Sequence, residues 1–65
     1  IKVNLLKSAI VAKNMTQEEF CKKIGMAHST FIRKMKKGVI NTDEAEKMIK
    51  VLDINNPEEI FLQSN

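Results

Sequence analysis

Residues 25–38 of this 65-residue chain read GMAHSTFIRKMKKG. Between the two glycines stand Arg33, Lys34, Lys36 and Lys37, with His28 and Ser29 ahead of them and no acid. On a helix turning about 100° per residue, Phe31 and Met35 share one side, and His28, Ser29, Ile32, Arg33 and Lys36 share the other. That second side mixes hydrogen-bonding groups, one aliphatic group and positive charge. Such a mixture suits the major groove of a nucleic-acid duplex. Arginine forks onto guanine, short polar side chains reach base edges, and an aliphatic side chain packs on a thymine methyl. Lysines at the borders neutralise phosphates. His28, Ser29, Ile32 and Arg33 are therefore candidate base-contacting residues. Lys34, Lys36 and Lys37 are candidate phosphate contacts, the plainer alternative being a solubilising face. For Ile32 the alternative is packing against residues 38–42 or a neighbouring subunit.

The charge of the whole chain is uneven in the same sense. Residues 1–38 hold nine basic and two acidic residues, a net +7, and residues 39–65 hold two basic and six acidic ones, a net −4. Such an asymmetry points to a half that faces a polyanion. With 65 residues the chain makes one domain, near the lower size limit for folding without staples. The one cysteine forms no internal disulfide, and no Cys/His cluster has metal spacing. Compactness must come from packed Leu, Ile, Val, Met and Phe.

The element that carries the basic face has to be positioned by others, and the pattern predicts five helices and no sheet. The first spans about residues 3–13, with Leu6, Ala9, Ile10 and Lys13 on one stripe, and Asn14-Met15 connects it to the next. Thr16-Gln17-Glu18-Glu19 is a capping box that starts the second helix. Phe20, Cys21 and Ile24 form its inner face, and Gly25 supplies a left-handed stop. Gln17, at that helix start, is a candidate phosphate contact through its amide and the free backbone N–H groups. The third helix covers about 28–36 and ends at Gly38. Asn41 and Thr42 follow in a connection where they can touch a phosphate backbone or simply cap the fourth helix. Thr42-Asp43-Glu44 starts that helix, with Ala45, Met48, Ile49 and Leu52 on its inner face. Asn56-Pro57-Glu58-Glu59 starts the fifth, which returns Ile60, Phe61 and Leu62 to the core; Gln63 to Asn65 are expected to fray. Met15, Met26, Met35 and Met48 read as core filler.

The stretch TQEEFCKKIGMAHSTFIRKMKKG resembles the helix-turn-helix of the Cro/CI (XRE-like) phage repressor superfamily. Thr16, Gln17, Phe20, Cys21, Gly25 and Phe31 match its pattern. STFIRKMKKG followed by TDEAEKMIKVLDI looks like the short regulators of Gram-positive phages. The resemblance covers essentially the whole chain. It implies an all-α, five-helix Cro/CI repressor-like domain over residues 1–65, with the helix-turn-helix at about 16–37. It also implies a transcriptional regulator that covers a promoter-overlapping site or contacts polymerase, as a homodimer on inverted half-sites, in the bacterial host cytoplasm at the nucleoid. Four positions depart from the family. Ala27 stands where Ser or Thr often caps the recognition helix. Ile10 and Met35 stand where several relatives bury an Arg–Glu pair. Ile32 occupies a face position that is often polar or aromatic, so no operator sequence transfers.

Other classes have less behind them. The acids sit at helix starts, where capping explains them, and no phosphate loop, cofactor fingerprint, nucleophile–base set or metal spacing occurs. The expectation is a non-enzyme with no cofactor, no metal and no small-molecule ligand. The apolar residues near the start are interrupted by Lys7, Ser8 and Lys13, too soon for a signal or membrane span. The unpaired cysteine fits a reducing cytosol. The strongest rival is a protein-interaction module, such as an antitoxin or antirepressor, that turns the same basic face on an acidic partner. A membrane-surface peptide is the third, disfavoured by the capped, core-forming acidic half. For a dimer, the apolar surface expected lies around Val39, Ile40, Val51 and Ile60–Leu62.

Overall fold

The computed structural model describes residues 1–61; Leu62 and the expected fraying of Gln63 to Asn65 lie outside the described residues. Within them the chain forms five helices and no strand: α1 (Val3–Ala12), α2 (Gln17–Ile24), α3 (His28–Lys37), α4 (Thr42–Leu52) and α5 (Pro57–Phe61). No described helix is long and apolar enough to cross a membrane. The all-α class and the five elements follow the sequence pattern to within a residue or two at each boundary.

The helices stop in one shared way. Asn14, Gly25, Gly38 and Asp53 all have positive φ, between 51° and 72°. The amide of the residue after each reaches back five positions, Met15 to Ile10, Met26 to Cys21, Val39 to Lys34 and Ile54 to Ile49, at 2.9–3.3 Å. This is the left-handed stop that satisfies orphan carbonyls, usually with an apolar residue folding back over the helix end. Met15, Met26 and Ile54 do fold back onto the core. Val39, after α3, does not and remains 66% exposed.

The starts differ more. Thr16 Oγ1 accepts from the Glu19 amide at 3.1 Å, and Glu19 Oε1 accepts from the Thr16 amide at 2.9 Å. These bonds hold the Glu19 carboxyl below the usual carboxylate range. The box on α4 is formed by Asn41, not Thr42: Asn41 Oδ1 accepts from the Glu44 amide at 2.8 Å and Glu44 Oε1 from the Asn41 amide at 3.1 Å. The cap thus falls one residue before the expected start, because Glu at the third helical position selects the residue three before it as its partner. At α3 the capping residue is Ala27, extended at φ −65°, ψ 140°, with no side-chain acceptor. Ala27 is exposed and its backbone is already that of a cap. Ala27→Ser is expected to stabilise the protein by about 1 kcal/mol, raising Tm by roughly 4–8 °C in a thermal melt.

Leu6 and Ile10 of α1, Phe20, Cys21 and Ile24 of α2, Phe31 and Met35 of α3, Met48 and Leu52 of α4, and Ile60 of α5 form one buried core. On α1, α3 and α4 the two core residues are one turn apart, on α2 the neighbours Phe20 and Cys21 lie one turn before Ile24, and α5 contributes Ile60 alone. Phe20 and Phe31 meet edge to face, centroids 5.9 Å apart and rings at 73°. Ile10 and Met35 are both buried. Cys21 is buried too, and desolvation, helped by Glu18, raises its thiol pKa, which leaves little thiolate to react. The chain start is strapped to the far side: the Ile1 nitrogen donates to the Gly38 carbonyl at 2.9 Å and the Lys2 amide to Ile60 at 2.7 Å.

Candidate nucleic-acid interface

α3 is held from beneath by Phe31 and Met35 and leaves its other side open. Ser29, Ile32, Arg33, Lys36 and Lys37 are all exposed along it. The helix contains no acid, and among the described residues no ion pair holds Arg33, Lys36 or Lys37. The C-terminal lysines also favour the helix end electrostatically, so the charge supports the element that displays it. Ile32 is 42% exposed, leaving its side chain on the open ridge.

Shallow clefts flank the ridge. On one side Gln17 and Lys7 face Ile32 and Lys36 across a cleft of about 160 Å³ floored by Phe31 and Met35. On the other, Arg33, Lys34, Lys37, Val39, Ile40 and Asn41 line a wider groove of about 380 Å³. Gln17 is half-buried at the first position of α2, and Asn41 and Thr42 are exposed at the start of α4. The Asn41 carbonyl oxygen is committed to its cap, while its NH₂ group donates to nothing among the described residues. Helix starts from two neighbouring elements therefore border the ridge with hydrogen-bond donors.

Two expected contacts are placed differently. Lys34 is turned aside: its Nζ donates to Glu44 Oε2, and the pair is partly buried between α3 and α4. Lys34 lies one position round the helix from Arg33, close enough to the buried side to meet the α4 start, so its charge is neutralised within the chain. His28 is half-buried, and its Nε2 is enclosed without a hydrogen-bond partner. His28 stands three residues before Phe31 and seven before Met35, about 60° and about 20° from them on a helical wheel, so it falls on the buried side of α3 rather than along the ridge. The outward face is thus Ser29, Ile32, Arg33, Lys36 and Lys37.

The residues expected on an apolar dimer surface are largely drawn inwards in the single chain. Ile60 is buried, Ile40, Val51 and Phe61 pack against the core, and Val39 alone of that group is widely exposed; Leu62 lies outside the described residues. These side chains complete a small core instead.

Glu44 gains from its place in two bonds at once. The hydrogen bond from Lys34 is the largest influence on its carboxyl, partial desolvation opposes it, and the Asn41 amide and the charges of Lys34 and Lys47 add to it; the net effect lowers the pKa. Because the folded-state value lies below the unfolded one, the stabilisation is present above the unfolded carboxylate value of about 4.3 and disappears as pH falls through the folded value. Glu44→Gln keeps an acceptor for the Asn41 amide but removes the charge. It is expected to cost about 0.5–1 kcal/mol at pH 7 and progressively less as pH falls below about 4.3, as read from thermal melts across that range.

Lys7 is a residue that the sequence pattern did not single out. Its position next to Leu6 on the α1 stripe sets it at the edge of the buried face, which brings it to the cleft beside α3. The helical period of α1 contains that signal, but only the packing of α1 beside α3 gives it meaning. No family model matches the chain, and no curated protein or solved structure matches it, so the assignment of this face rests on its residues and their geometry.

Proposed function

We propose that this chain is a sequence-specific, duplex-DNA-binding transcriptional regulator of the Cro/CI helix-turn-helix kind, a phage or prophage repressor, in which α3 enters the major groove. The observation that carries the proposal is the acid-free ridge of α3, projecting between two clefts bordered by hydrogen-bond donors. A helix of this width fits the groove of B-form DNA, and the preceding helix, set across the phosphate backbone, orients it. Arg33 is the principal base reader, with Ser29 beside it and Ile32 against a thymine methyl. Gln17, Lys36, Lys37, Asn41 and Thr42 fix the register through phosphates. Lys34 acts indirectly, by tying α3 to α4.

Repression follows from occupancy: a site overlapping a promoter is covered. One short helix offers few base contacts, so two copies on inverted half-sites about 34–36 Å apart supply the affinity that one lacks. Selection of bound sites from a random duplex pool tests the proposal. The expected result is a short consensus, repeated as an inverted pair, bound with an affinity that falls steeply and linearly in log[salt]. A pool without consensus, bound no better at low salt, would overturn it in favour of an acidic protein partner for the same face.

A further inference from the structure

The cleft between α1, the start of α2 and α3 is lined by Lys7, Gln17, Phe31, Ile32, Met35 and Lys36. Two lysines from different helices and one side-chain amide converge on a single opening, and no acid lines it. Among the described residues neither ammonium has an ion-pair partner. Phe31 and Met35 form a buried floor, while Lys7, Ile32 and Lys36 are exposed at the rim. Two like charges around one cleft repel each other in the free protein, and an anion between them reverses the sign of that interaction. The apolar wall suits the sugar methylenes on either side of a backbone phosphate.

Resting on the DNA-binding reading, we propose that Lys7 and Lys36 grip one and the same backbone phosphate, with the Gln17 amide donating to it, so that α1 belongs to the DNA footprint. This single shared phosphate sets the position of α3 along the groove on the Gln17 side. It carries no sequence information of its own.

The shared phosphate has a distinct salt signature. Each neutralised phosphate contributes about −0.9 to the slope of log K against log[salt]. Binding of the selected duplex is measured at several salt concentrations for the wild type, Lys7→Ala, Lys36→Ala and the double variant. Lys13→Ala, exposed at the end of α1 and outside the cleft, is the control. Each single variant is expected to weaken binding to all sequences alike yet retain most of the slope, since the other lysine still neutralises the phosphate. The double variant is expected to lose about 0.9 of slope in total. A loss of about 1.8 in the double variant would place the lysines on two phosphates and overturn the proposal. Lys7→Ala behaving like Lys13→Ala would overturn it too. In both cases salt-dependent wild-type binding persists and the DNA-binding reading stands. A wild type that binds no duplex overturns both together. Superimposable thermal melts of all variants verify that these exposed positions leave folding intact.

Discussion

Phe31→Ala is expected to leave most of the chain unfolded at 25 °C. Phe31 has no exposed surface, packs edge-on to Phe20 and floors the cleft under α3. Truncating a buried phenylalanine costs about 3–5 kcal/mol, because the cavity collapses only in part. A native domain has about 0.05–0.15 kcal/mol of stability per residue, which for this length is roughly 3–10 kcal/mol in all. One side chain therefore accounts for a third or more of the total. Urea titration followed by circular dichroism reads the result directly. Phe31→Leu, which retains most of the volume, is expected to fold with a lowered midpoint. A Phe31→Ala protein melting cooperatively within about 5 °C of the wild type would mean that α3 is held by something other than this ring.

Arg33→Ala is expected to relax sequence preference rather than merely weaken binding. Arg33 is exposed on the ridge, is unpaired among the described residues, and lies one turn from Ser29. A bidentate contact to guanine discriminates by about 1–3 kcal/mol, roughly 5- to 150-fold between the best site and one changed at a single base pair. Arg33→Lys is the sharper variant, since it keeps the charge but not the planar fork. Both substitutions are expected to flatten the preference at one position of the half-site and leave the others intact. Lys37→Ala, by contrast, is expected to lower affinity for every sequence equally and reduce the salt slope. Equal losses for the preferred and altered sites in Arg33→Lys would assign Arg33 to a phosphate instead.

What the sequence displayed most clearly was local. The Thr16–Glu19 box, the stop at Gly25 and the Met48–Leu52 stripe depend on residues within one or two turns, and each forms as expected. The α4 cap was nearly as clear, but Asn41 and Thr42 are both good caps, and only the three-residue spacing to Glu44 separates them. The Lys34–Glu44 pair was hidden because it joins two helices, and nothing in a helical wheel distinguishes a lysine facing α4 from one facing solvent. His28 was legible in the spacing: three residues before Phe31 and seven before Met35, it shares their side of the helix and not the ridge. Ile40, Val51 and Ile60 do not differ from exposed apolar residues in local pattern; in a domain this small they are drawn onto the core, while Val39 stays exposed. Lys7 gained significance only once α1 lay beside α3.

The bond from the Lys2 amide to the Ile60 carbonyl joins residues almost a full chain length apart. Bringing positions so distant together carries a large loop-closure entropy, which burial of Ile60 helps to offset. α5, five residues long with Ile60 as its one buried residue among those described, is therefore expected to dock last and to detach first, before the local stops of the other helices give way.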